Sequence, residues 1–153
     1  MRSRALAIGA LLIVGSITGV TAHAAPSAGK TVIRIDANGA PSGGNPAGGE
    51  GRFTLKAGKA TDRGRDSYAF AGKTGALTLM GRHGTLMLKL KRTRSGLSVD
   101  SDGLDLWTGT WSVTDGTGVY EGAKGLGAFL GIIGPSYKVA FHLEGFLPTP
   151  LAG

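Results

Sequence analysis

Residues 107–127 read W-T-G-T-W-S-V-T-D-G-T-G-V-Y-E-G-A-K-G-L-G, and this stretch decides the fold class. Trp107, Gly109, Trp111 and Val113 share one parity, so on a strand they share one face. Asp115-Gly116 is a hairpin turn signal between two extended segments. Gly116, Gly118, Gly122, Gly125 and Gly127 argue against helix, since each glycine inside one costs about 1 kcal/mol relative to alanine. The stretch predicts a strand, a glycine turn and a second strand.

The same alternation recurs outward from this centre. Residues 30–36 place Ile33 and Ile35 on one face, 52–56 place Phe53 and Leu55, 66–71 place Tyr68 and Phe70, and 75–80 place Leu77 and Leu79. Residues 84–91 alternate most cleanly, with Leu86, Leu88 and Leu90 opposed to Thr85, Met87, Lys89 and Lys91. Residues 106–114, 123–132 and 137–146 complete the set. In the last, Tyr137, Val139, Phe141 and Leu143 alternate with Lys138, Ala140, His142 and Glu144. Between these segments, residues 37–51 (A-N-G-A-P-S-G-G-N-P-A-G-G-E-G) read as a flexible Gly/Pro-rich loop, 59–65 as a charged connection and 92–105 as a polar loop.

Eight short strands, glycine-rich turns and no helical stripe predict an all-β fold: a single antiparallel eight-stranded barrel over residues 30–147. The strand glycines favour a barrel over a sandwich, because closure needs bends and close backbone approaches. Eight strands enclose room for side chains or for one small ligand.

The first residues carry an address. Arg2 and Arg4 form a positive flank, residues 5–14 are apolar, and Ala22-His23-Ala24 is an A-x-A cleavage pattern. Residues 1–24 are therefore expected to be a signal peptide, followed by a mature tail at 25–29, the barrel, and a C-terminal tail at 148–153. The alternative, a membrane anchor, needs about 20 apolar residues, and Gly9, Gly15, Ser16, Thr18 and Gly19 interrupt the run. The expectation is secretion, to the extracellular space or cell envelope, with no membrane span after cleavage. The chain has no cysteine, so neither a disulfide nor a cysteine-linked lipid can form.

Cleavage would leave 129 of the 153 residues, the length of one domain. Losing Arg2 and Arg4 takes the basic count from 17 to 15 against 10 acidic residues, a net charge of +5. That excess suits an anionic cell-envelope polymer and also suits plain solubility. Nucleic acid is not expected, since the sequence shows no basic groove studded with aromatics.

Residues 115–125, D-G-T-G-V-Y-E-G-A-K-G, resemble the G-G-T-G-x-[FY]-x-x-A-x-G signature of the dirigent proteins, which share an eight-stranded barrel with the allene oxide cyclases. The chain also resembles small exported bacterial proteins of unknown role in which a G-x-F-T-L strand precedes a G-T-W-x-[IV]-T-x-G-T-G-x-Y block. Here those pieces are residues 51–55 and 109–120. Asp115 departs from the signature, standing where dirigents usually have glycine. The resemblance implies a barrel and often a trimer, hence a homo-oligomer. Dirigent and cyclase catalytic residues lie outside the matching motif, so it assigns none to this chain.

The motif itself reads as structural. Gly116 and Gly118 are expected to supply positive φ in a tight turn, Gly122 and Gly125 to let backbones approach, and Tyr120 to close the barrel end with its ring buried and its hydroxyl bonded. Trp107 and Trp111 are expected as buried anchors. A phosphate-cradling loop would need a helix to follow, and none does. No motif calls for a cofactor. Metal ligation is unsupported, because His83 and His142 lie in different elements without ligand spacing, and His83 reads as an exposed turn residue.

His142 and Glu144 are the only catalytic candidates, a base and an acid that would matter if their face lined a pocket. The opposite face is far more apolar and should take the interior, leaving His142 and Glu144 on a solvated outer face or a subunit contact. Lys89, Lys91, Arg92 and Arg94 form the densest basic run. It reads as an anionic docking patch or, preferably, as a strand edge guarded against aggregation. Two functions follow. The leading one is a non-catalytic binding or interaction module for a small apolar molecule or a cell-surface component; the other is a cyclase or isomerase-type barrel enzyme.

Overall fold

Alternation of apolar and polar residues commits each segment to a two-faced strand. The computed structural model of the protein describes residues 30–44, 47–99, 104–134 and 138–147. Its strands are β1 (Thr31–Pro41), β2 (Gly48–Ala57), β3 (Ala60–Ala71), β4 (Thr74–Gly81), β5 (Thr85–Val99), β6 (Leu104–Gly116), β7 (Leu126–Ile133) and β8 (Val139–Leu147). Each pairs antiparallel with the next, and β8 pairs with β1, so the barrel closes and no strand edge is left open. Two short 3-10 turns, at Ser42–Gly44 and Gly118–Tyr120, are the only helical pieces among the described residues.

The interior is filled by side chains. Ile33, Ile35, Leu55, Leu77, Leu79, Leu86, Leu88, Leu90 and Leu143 are buried there with the aromatic residues. Register matches aromatics to glycines. Phe53 lies opposite Gly64, Tyr68 opposite Gly49, Phe70 opposite Gly75, Trp111 opposite Gly127 and Phe129 opposite Gly109. Trp107 and Phe141 both lie opposite Gly131, from the two sides. A barrel of eight strands is too narrow for large rings in every row, and glycine across the ladder gives each ring its volume. The rings then touch one another, with Tyr68 and Phe141 edge-to-face at 5.2 Å and Phe70 and Trp107 at 5.3 Å.

This explains where strands replace expected loops. The segment 37–51 is mostly strand: β1 runs to Pro41 and β2 starts at Gly48. Its glycines make room for a neighbour. A Cβ on Gly39 would lie 2.8 Å from Tyr68 Cε1, and one on Gly49 would lie 2.7 Å from the Tyr68 hydroxyl. Residues 60–65 belong to β3, whose inward positions Asp62, Gly64 and Asp66 carry no apolar side chain to announce a strand. Much of 92–105 is strand as well. Register shifts at Met87/Leu88, Arg92/Arg94 and Arg94/Leu97 break the alternation that would have marked β5. Tyr137 and the expected signal and tail segments lie outside the described residues. Among the described residues no helix is long and apolar enough to cross a membrane.

Candidate functional site

One end of the barrel is built by the connection from β6 to β7. It is not a two-residue hairpin at Asp115-Gly116: β6 ends at Gly116, a 3-10 turn follows, and β7 begins at Leu126. Gly118 and Gly122 carry the positive φ, at 62° and 67°. Gly116 is instead a close approach, since a Cβ there would lie 2.9 Å from Tyr120 Cβ. Gly122 has open space around it, whereas a Cβ on Gly125 would meet Leu147 Cδ2 at 2.5 Å. The expected roles of Gly116 and Gly122 are thus exchanged, because the chain reverses later than a hairpin would.

This connection drives Tyr120 into the barrel end, where its buried hydroxyl donates to Asp62 Oδ2 at 2.8 Å. Asp62 Oδ1 accepts the backbone N–H of Arg63 at 2.8 Å and of Arg82 at 3.0 Å. Burial opposes ionisation of Asp62, but these donors, Tyr120 foremost, outweigh it and hold its carboxyl below the usual range. Burial, and then the bond to Asp62, push the Tyr120 hydroxyl up. Half-exposed His83 stands 3.3 Å from Asp62 Oδ1 at the rim. The far end is closed by Arg92, which points inward and is not part of an outer basic patch. Its guanidinium lies 4.3 Å from the Trp107 ring centre and 4.9 Å from that of Phe70, and it donates to Gly72 O. Lys89 and Lys91 do face outward, and the Arg94 side chain lies outside the described residues. Trp107 and Trp111 are both buried on one side of β6. Trp111 Nε1 donates to the carbonyls of Ala128 and Glu144.

His142 and Glu144 face outward on β8. His142 Nδ1 lies 2.6 Å from Asp36 Oδ1 and its Nε2 lies 3.2 Å from Glu144 Oε1. Arg34 Nη2 lies 2.7 Å from the same Glu144 oxygen. Register explains the chain of charges, since Arg34 is opposite Glu144 and Asp36 is opposite His142. The bond to Asp36 raises the His142 pKa against a smaller opposing effect of burial, and Arg34, then His142, lower that of Glu144. These groups neutralise one another on the outer surface, and the two candidates share no enclosed pocket.

Asp66 is the second acid that β3 turns inward. It is 1% exposed, and neither carboxylate oxygen has a hydrogen-bond partner; the buried Tyr68 hydroxyl has none either. Burial pushes the Asp66 carboxyl up to about 6. Burial, and then the Asp66 charge, raise Tyr68. The sequence held the signal: Asp66 shares its parity with Tyr68 and Phe70, the pair that marks the inward face of β3. An acid poised near neutral pH can hold or release a proton, and Leu79 stands opposite it in register.

Several grooves open on the outside. The first, about 530 Å³, lies beside the β6–β7 connection. Val113, Ala123, Leu126 and Phe146 supply its apolar lining, and Lys30 and Lys124 supply its positive charge. Asp115 also lines it, with Oδ1 accepting the Gly116 N–H at 2.8 Å. The second, about 550 Å³, crosses the outer faces of β2, β3 and β4 and is lined by Arg52, Arg63, Arg65 and Arg82. Among the described residues no group of three or more His, Asp or Glu side chains is placed to hold a metal. No protein-family model, curated protein or solved structure matches this chain.

Proposed function

We propose that this chain is an exported, non-catalytic binding barrel, and that it takes a small apolar molecule with an acidic head in the groove beside the β6–β7 connection. The groove carries this reading. Its volume of about 530 Å³ suits a single small ligand. Its apolar wall continues onto an exposed row in which Val32, Phe146 and Leu126 stand side by side across β1, β8 and β7. These residues are 62%, 46% and 67% exposed. Apolar side chains aligned in this way on an outer surface commonly mark a binding site. Lys30 and Lys124 flank the apolar wall, as an anionic head group on an alkyl chain requires.

Calorimetric titration with dodecanoate tests the reading. Binding is expected to the wild type, with at least a tenfold loss in Leu126→Glu, which places a repelling charge at an exposed site without touching the core. Equal affinity in wild type and variant would reject the groove. The enzyme alternative rests on Asp66 and Tyr68. It gains ground if Asp66→Asn abolishes turnover of a ligand that the barrel binds.

A further inference from the structure

The outer faces of β2, β3 and β4 carry four arginines, and no carboxylate on those faces pairs with their guanidinium groups. Arg52 on β2 stands directly opposite Arg65 on β3. Arg63 lies two residues from Arg65 on the same face, and Arg82 follows the end of β4. All four are exposed. None of the four guanidinium groups makes an ion pair or hydrogen bond among the described residues. Like charges directly opposite each other destabilise a strand pair. The groove they line contains no carboxylate. Glu50, outward on β2 two residues from Arg52, stands opposite Ser67 and pairs with none of them. On the outer faces of β1 and β8, by contrast, Glu144 is matched by Arg34 and Asp36 by His142.

The track is long. A further groove, about 330 Å³, is lined by Thr61, Arg63, Arg82 and His83, so it shares two arginines with the 550 Å³ groove and extends it toward the Asp62 end. Neighbouring strands lie about 4.8 Å apart, and residues two apart on a strand about 6.8 Å. The face therefore presents cations at intervals of roughly 5–7 Å, suited to repeated anions along a chain rather than to one ion. Guanidinium forks match tetrahedral phosphate oxygens in pairs. The lining offers no exposed aromatic ring on which a base can stack: Phe53 is its one aromatic and is buried.

We infer that this arginine face is a docking track for an extended phosphate-bearing polymer of the cell envelope, at a site separate from the apolar groove. The polymer's phosphates would take the place of the missing counter-charges. Binding would release the polymer's counterions, so affinity falls steeply with salt.

The test uses long-chain inorganic polyphosphate as the probe, titrated into the full mature chain at several salt concentrations. Wild type is expected to bind, with log affinity falling linearly against log salt. Each of Arg52→Gln and Arg65→Gln is expected to reduce that slope by about one and to weaken binding several-fold at low salt. The fourfold Arg→Gln variant at 52, 63, 65 and 82 is expected to lose binding without any fall in its melting temperature. Lys89→Gln/Lys91→Gln, on another part of the surface, should bind as wild type does. Orthophosphate at the same total phosphate should not compete. The proposal is overturned if the arginine variants bind unchanged, if the lysine variant loses binding instead, if orthophosphate competes equally, or if single-stranded DNA of the same charge binds more tightly. Dodecanoate binding by the fourfold variant should stay intact, which separates this track from the apolar groove.

Discussion

Tyr120 and Asp62 meet at the barrel end, hydroxyl to carboxylate at 2.8 Å, joining the β6–β7 connection to β3 across 58 residues of chain. Both are buried, and Tyr120 is the strongest of the donors that keep Asp62 ionised. Tyr120→Phe keeps the ring and removes one donor from a buried carboxylate, at a cost of about 1–3 kcal/mol. A lowered folded-state pKa gives stability that is present above the usual 3.8 and is lost as pH falls through the folded value. Tyr120→Phe should therefore lower the melting temperature at pH 7 and narrow the gap to wild type in strong acid. A gap that stays constant from pH 7 to pH 2 would show that the bond does not hold the charge.

Asp66 has the opposite sign. Its folded pKa of about 6 exceeds the usual 3.8, so the folded barrel prefers the protonated acid. Stability from this group is full below 3.8 and declines as pH rises toward about 6. Urea unfolding should give a barrel more stable at pH 4 than at pH 6.5, by an amount on the order of 2–3 kcal/mol from this group. His142, raised by Asp36, weakens the fold in the same direction but above 6.5, and it is half exposed, so its share is small. Asp66→Asn should flatten the profile between pH 4 and 6.5. If Asp66→Asn retains the wild-type profile, another group is responsible.

The all-β class was legible because most inward positions are Leu, Ile or aromatic in alternation, and closure because the strands carry many glycines. The strands hidden from that pattern are those whose inward residues are glycine or acid. In β2 the inward Gly49 yields its volume to Tyr68, and in β3 the inward Asp62 is held by Tyr120 and backbone donors distant in sequence. A glycine opposite a large ring and a glycine in a loop look alike in one dimension. The arginine face was illegible for a related reason. Arg52 and Arg65 are 13 positions apart and become neighbours only through the β2–β3 register, whereas the visible run at 89–94 is split by Arg92 turning inward.

The aromatic–glycine register makes a sharp comparison possible. A Cβ on Gly127 would sit 2.6 Å from Trp111 Nε1, and one on Gly145 would strike Trp111 Cζ2 and the Leu126 carbonyl. Gly145→Ala should displace the indole from the carbonyls of Ala128 and Glu144. The expected cost is about 1–3 kcal/mol for overpacking, with a change in tryptophan fluorescence. Trp111→Ala should cost more, about 3–5 kcal/mol. Gly58→Ala is the control: φ is +59° and nothing lies within 4 Å, so only the left-handed backbone is penalised, by about 1–2 kcal/mol, with unchanged fluorescence. Equal fluorescence in wild type, Gly145→Ala and Gly58→Ala would place Trp111 elsewhere.

In the absence of any ligand Arg52 and Arg65 repel each other across the β2–β3 ladder. They stand directly opposite each other, exposed, with no carboxylate in their groove. Opposed like charges on a sheet cost about 0.2–1 kcal/mol. Arg65→Gln keeps a long polar side chain and removes the repulsion. It should raise the melting temperature slightly at about 10 mM salt, where the screening length is about 30 Å. The gain should vanish near 1 M salt, where that length falls to about 3 Å. Lys91→Gln, opposite Thr110 and Thr74, should show no such salt-dependent gain. If Arg65→Gln instead destabilises the barrel at low salt, Arg65 has a favourable partner within the chain, and the case for an external polyanion at this face weakens with it.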